Sequence, residues 1–291
     1  MDYEPQNDSE QGRVTSPFTA PPSYADVAQE LAPSRWNDLL ALLLAFLNWI
    51  GSLGFAAIVP LFFLILYGGI EILFKIQSGQ WTAPIMMLSL IGTFVGQILS
   101  LLLSWIIVTG IGKRSFSEAL GLQWPQNFKL WHALVLGVGM FALSALLMSV
   151  LPRHETDMDK FLKFGTVVRV VLALVATIGA PIQEEIVYRG VLYTALEKSI
   201  GMRGAVVLVS LLFWGVHVAQ YWQSIATLVA VLMLSFMLTA LRAWSGKLLP
   251  CVATHLFFNG IQGLLIVFVP DKAASPEPAA QPAMLWLYLF S

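Results

Sequence analysis

Apolar runs broken by short polar stretches fill the chain from residue 37 onwards. They lie near 37–70, 83–110, 131–151, 166–197, 203–220, 224–242 and 248–269. A helix needs about 20 apolar residues to cross the hydrocarbon core of a bilayer, within a range of roughly 17–25. Five of the runs are near that length. The first and fourth are longer than one straight crossing. Gly51, Gly54 and Pro60 offer kinks in the first, and Pro181 offers one in the fourth. The pattern predicts an all-α, polytopic integral membrane bundle of seven spanning helices, or eight if the first run divides. Backbone groups freed at Pro181 must find other partners, so a wet or protein-lined cavity is expected there.

Composition agrees. Of 291 residues, 57% are hydrophobic and only 11% are charged, and the mean hydropathy is +0.75. A soluble globule cannot hide that much apolar surface, so a soluble enzyme is excluded and the lipid bilayer is the chain's first partner. Lys and Arg number 16 against 17 Asp and Glu, with no basic stripe, so nucleic acid is not a partner. Cys251 is the only cysteine, which rules out a disulfide framework. The ten tryptophans cluster near the ends of the runs, as in an interfacial belt.

Four segments follow. Residues 1–34 are polar, acidic and rich in Pro, Ser and Gln, and read as a disordered arm rather than a signal peptide. Within it, Pro21-Pro22-Ser23-Tyr24 fits a motif read by WW domains, a match that chance in a Pro-rich arm explains. Residues 35–164 form the N-terminal membrane helices, 165–270 the polar-bearing membrane domain, and 271–291 an Ala/Pro tail whose Met284–Phe290 end is too short to span. With seven spans, one side holds Arg13, Arg35, Lys113, Arg114, Lys129, Lys198, Arg203, Arg242 and Lys247. The other holds Lys75, Arg153, Lys160, Lys163 and Lys272. The excess puts the N-terminus in the cytoplasm, of a plasma (inner) membrane if the host is bacterial. No internal or inverted repeat stands out.

Ionisable side chains cost at least ~2.5–3.5 kcal/mol at the bilayer centre. Most runs carry none, but the fourth holds Glu184, Glu185 and Arg189. The fifth carries His217, four residues after Phe213, and the seventh carries His255 and Asn259, spaced i,i+4 on one face. His132 and His154 fall at span edges. At ~1.5 Å of rise per residue, Glu184 lies ~22 Å from Ser199, His217 ~21 Å from Arg203 and Asn259 ~18 Å from Lys247. Three helices thus bring their polar groups to similar depth, which points to one shared site. Glu185 and Arg189 are i,i+4 and can pair. Glu184 has no local cation and is left to face a cavity as a general base on water. His217 can orient that water, while His255 and Asn259 offer N–H donors to an oxyanion.

Glu184-Glu185-x-x-x-Arg189, Phe213-x-x-x-His217 and His255-x-x-x-Asn259, in that order on successive apolar helices, resemble the CPBP family. These are the CAAX-processing and bacteriocin-immunity (Abi) intramembrane proteases. The resemblance covers roughly 165–270 and implies an intramembrane endopeptidase acting on a membrane protein or peptide. In the family pattern Glu184 and His217 activate water, and His255 and Asn259 form the oxyanion site. The family has been called both metalloprotease and glutamate protease. Glu184, His217 and His255 would make a three-ligand open zinc site. No His-Glu-x-x-His is present and Asn259 is a poor zinc ligand, so a metal-free glutamate mechanism with no cofactor is favoured.

Each feature also has a structural reading. The charged cluster can staple helices together, and His217, His255 and Asn259 can be interhelical hydrogen-bonders. Phe213 and Cys251 read as packing. Two other function classes remain. One is a proton-coupled transporter, against which the absence of repeat symmetry counts. The other is a non-catalytic membrane immunity or partner protein, which has no need of a general base.

Overall fold

The computed structural model describes residues 35–151 and 164–268, with the side chains of 35–37 left aside. The expected arm (1–34), His154 and the tail (271–291) lie outside the described residues. Everything described is helix and connecting turn. The helices are α1 (Arg35–Gly68), α2 (Glu71–Gln77), α3 (Ala83–Thr109), α4 (Phe116–Leu120), α5 (Leu130–Val150) and α6 (Thr166–Leu174). A π-helical turn (Val175–Gly179), α7 (Ala180–Glu184) and a second π-helical segment (Glu185–Leu192) continue α6 without a break. Then come α8 (Tyr193–Tyr221), α9 (Ile225–Ser245) and α10 (Leu249–Phe268).

Six helices among the described residues are long and apolar enough to cross a membrane, fewer than the seven or eight expected from the runs. The difference has two sources. First, α1 is one helix through Pro60, so the first run does not divide. Second, Thr166–Tyr221 is continuous over 56 residues, ~84 Å if it were straight. It is not straight. Gly201 has φ 74° and ψ 165°, a backbone state essentially confined to glycine. Tyr188 and Phe213 are 25 positions apart, ~38 Å along a straight helix, yet their rings are 5.0 Å apart edge to face. The chain therefore doubles back at Gly201, and the two arms share one core with Val187, Leu192, Ala205 and Val209.

Close helix contacts use small residues, as expected where lipid supplies no hydrophobic drive between helices. A side chain on Gly92 of α3 would meet the Pro60 backbone at 2.5 Å, and one on Gly96 would meet the Phe55 carbonyl at 2.9 Å. Gly137 does the same for α5 on α10, where a Cβ would lie 2.7 Å from Phe257. Large apolar side chains such as Leu43, Leu47, Ile58 and Phe62 point outward, the arrangement for lipid contact. At one end of the bundle the α9–α10 turn meets the α4 loop. Leu248 N–H donates to Gly121 O (2.9 Å) and Lys247 Nζ donates to Gln123 Oε1 (2.6 Å).

Arg242 corrects the charge tally. It is 5% exposed, and its Nε donates to the Arg189 carbonyl at 3.1 Å. It is a buried support of the second π-helical segment rather than a loop charge.

Candidate active site

The local backbone around the glutamates follows from Pro181. Ahead of it the helix widens, and Ala180 N–H donates to Val175 O, five residues back. In that register the N–H that would serve Ala176 O belongs to residue 181, and proline has none. Asn259 Nδ2 takes over, donating to Ala176 O at 2.9 Å across from α10. A side chain on Gly263 would collide with Thr177 Cγ2, so Gly263 lets α10 approach the widened turn. A second widening follows, closed by Tyr193 N–H donating to Tyr188 O. π-helical turns of this kind occur often at functional sites. Here they bracket Glu184.

The two adjacent carboxylates have different surroundings. Glu185 is fully buried, and Arg189 Nη1 donates to its Oε1 at 2.9 Å. The rest of the Arg189 guanidinium is also engaged. Nη2 donates to Ser235 O (3.1 Å) and Oγ (3.0 Å), and Nε donates to Thr239 Oγ1 (3.2 Å). Its Cζ sits 4.5 Å over the Phe213 ring, so Phe213 is a cation–π support as well as packing. His255 Nδ1 is 2.8 Å from the same Glu185 Oε1, an acceptor, so this ring nitrogen carries the proton. The other nitrogen, Nε2, lies 3.9 Å from Glu184 Oε2. Glu185 thus orients Arg189 and His255, and neither Glu185 nor Arg189 lines either of the two cavities that Glu184 borders.

Glu184, His217, His255 and Asn259 do share a wall. They line an open cavity of about 120 Å³ between α5, α8, α9, α10 and the widened helix. Its far side reaches Met148, Tyr221, Thr227 and Ile266, at the end of the bundle opposite the Gly201 turn. His217 Nδ1 is 2.7 Å from Phe213 O. A carbonyl only accepts, so Nδ1 holds the proton and a neutral ring leaves Nε2 as an acceptor. A second, much smaller cavity, of about 30 Å³, lies on another side of Glu184 and His217 and is walled in part by α1 and α3.

The remaining sequence candidates are structural. His132 caps α5, its Nδ1 accepting from Lys129 N–H at 2.8 Å, and its ring stacks on Trp131. Cys251 is buried against Leu238 O. As for zinc, no three His, Cys, Asp or Glu side chains among the described residues gather closely enough to hold one ion. His217 and His255 each hold Nδ1 on an oxygen acceptor and keep Nε2 free.

Sequence reasoning missed a polar stripe in the N-terminal half. Thr93, Gln97, Ser100 and Ser104 recur at i, i+4, i+7 and i+11 on α3, and all are buried. The helical spacing was the available signal, but none of these residues is ionisable.

Residues 166–261, about a third of the chain, match the model of a family described as type II CAAX prenyl endopeptidase Rce1-like. Glu184, Glu185, Arg189, Phe213, His217, His255 and Asn259 all fall inside that segment, and the resemblance drawn from them is to the same group of membrane proteases. Neither the curated proteins nor the solved structures yield a match.

Proposed function

We propose that this protein is an intramembrane endopeptidase in which Glu184 activates water to cut a peptide bond of a membrane-associated protein or peptide. One observation carries the reading. Glu184 shares a cavity wall with His217, His255 and Asn259, while its neighbour Glu185 is buried and committed to Arg189 and His255. The family match over the same residues supports it.

In this reading Glu184 takes a proton from water, and His217 Nε2 accepts a hydrogen bond from the same molecule. The resulting hydroxide adds to the scissile carbonyl carbon. The oxyanion is met by N–H donors from His255, protonated at Nε2, and from the second amide hydrogen of Asn259. Protonated Glu184 then returns its proton to the amide nitrogen, the C–N bond breaks, and a carboxylic acid and an amine leave. Glu185 and Arg189 take no part in bond changes and hold His255 in place.

The membrane arrangement is part of the proposal. The reversal at Gly201 divides the 56-residue stretch into two crossings, making seven in all, with the N-terminus cytoplasmic. The cavity lined by Glu184, His217, His255 and Asn259 then faces the extracytoplasmic end of the bundle. The test is cleavage of a peptide anchored in liposomes by the purified protein, compared with Glu184→Gln. Loss of cleavage with an unchanged melting temperature is expected. Glu184→Gln cutting at the wild-type rate would refute the assignment.

A further inference from the structure

The cavity that holds Glu184 runs outward along α10. His255, Asn259 and Gln262 line it from one face of that helix, at i, i+4 and i+7. The first two are the proposed oxyanion donors. Gln262 is half-buried, and its carboxamide makes no hydrogen bond among the described residues. Ser144 of α5 lines the same cavity, is 7% exposed and is equally uncommitted. Thr227, on the same wall, is by contrast already bonded to Ser224 (2.8 Å). In the proposed seven-crossing arrangement α5 and α10 run the same way. A Cβ on Gly137 would meet Thr254 O and Phe257, so Ser144, two turns further on, comes level with Gln262 and its neighbours.

A substrate segment that enters the bilayer as a helix has its carbonyls paired within itself. For water to reach a scissile carbonyl, and for two N–H donors to meet its oxygen, that stretch must leave the helix. The N–H and C=O groups it frees then need partners from the protein, because lipid offers none. A carboxamide carries donors and an acceptor side by side, the complement of an extended backbone. Asn259 to Gln262 is ~4.5 Å along α10 at ~1.5 Å of rise per residue, and an extended strand advances ~3.3 Å per residue. Gln262 therefore falls opposite a peptide unit one or two residues from the scissile bond.

We propose that Gln262 and Ser144 form a backbone-binding subsite for an unwound, extended stretch of a membrane-anchored polypeptide. Gln262 Nε2 donates to a substrate carbonyl, Gln262 Oε1 accepts from a substrate N–H, and Ser144 Oγ pairs a neighbouring backbone group. This rests on the proposed peptidase reading and names the form in which its substrate is cut.

The test uses the full chain in liposomes and an anchored peptide in which single backbone amides are replaced by esters. An ester lacks the N–H and keeps the side chains. The two peptide units on each side of the scissile bond are replaced in turn, and cleavage at the scissile bond is followed by product mass. With the all-amide peptide, Gln262→Leu should lower kcat/KM by about tenfold. At one of the four positions an ester should lower wild-type kcat/KM by about tenfold and that of Gln262→Leu by no more than about twofold, because the acceptor is already gone. Ser144→Ala, the smaller change, should lower kcat/KM by about threefold and keeps the test open if Gln262→Leu folds poorly. Ester losses equal in the wild type and Gln262→Leu, or variants of unchanged kcat/KM, would overturn this inference alone. A wild type that cuts no peptide would instead overturn the peptidase reading and the subsite with it.

Discussion

Replacing Arg189 with alanine removes a fully buried guanidinium that makes four side-chain hydrogen bonds, to Glu185, to Ser235 twice and to Thr239. It also strands Glu185. That carboxylate is fully buried, and its Oε2 already has no hydrogen-bond partner. Deleting one partner of a buried ion pair costs about 3–5 kcal/mol, chiefly through the charge left behind. At about 2–4 °C per kcal/mol for a folded unit of this general size, the melting temperature should fall by about 6–20 °C. The cause is separable from simple loss of packing. In Arg189→Ala combined with Glu185→Gln no charge is stranded, and the amide oxygen at 185 still accepts from His255. The double variant should recover at least half the loss of Arg189→Ala. The assay is thermal unfolding in detergent or nanodiscs, run as a double-mutant cycle. Arg189→Ala melting with the wild type, or a double variant as damaged as the two single changes added together, would refute the pairing argument.

Other outcomes follow from the same geometry. Gly137→Val should destabilise by about 1–3 kcal/mol, because its side chain meets Phe257 and the Thr254 carbonyl, whereas Gly139→Val faces open space and should melt like the wild type. Asn259→Ala should lower kcat by about 10²–10³ with little change in KM if its free amide hydrogen meets the oxyanion. An equal loss in KM instead would assign it to binding. Pro181→Ala restores an N–H that competes for Ala176 O, so it should release Asn259 and lower kcat by about tenfold or more at near-normal stability. A cysteine placed at Lys113 should react with an impermeant thiol reagent only from the cytoplasmic face. Labelling from the other face would invert the proposed orientation.

The helices and the polar site residues were legible in the sequence because lipid enforces both. Apolar runs of spanning length can be counted, and an intramembrane carboxylate stands out by its cost. The i,i+4 spacing of Glu185 and Arg189 needs only helix geometry, and the two are in contact at 2.9 Å. What was hidden depends on contacts between elements. Nothing local marks Ala176 O as the partner of Asn259, because that bond arises from a widened turn and an absent N–H at Pro181. The role of His255 on Glu185 was hidden likewise, since the two are 70 positions apart. Arg242 looked like a loop charge because it ends an apolar run, and only the packing of α9 on the second π-helical segment buries it. Gly201 lay in a predicted loop, but the reversal there is so tight that helix continues on both sides of one residue. The α3 stripe carried a helical period in uncharged residues, which hydropathy averaging conceals.

The central claim is that the Glu184 carboxylate, without a metal, activates the hydrolytic water. The most direct measurement is cleavage of a liposome-anchored peptide by exhaustively chelated protein, with metal content determined on the same sample and Glu184→Gln in parallel. The account predicts that the metal-depleted wild type still cuts and that Glu184→Gln, folded and equally stable, does not. Activity lost on chelation and restored by added zinc, or wild-type turnover by Glu184→Gln, would contradict it.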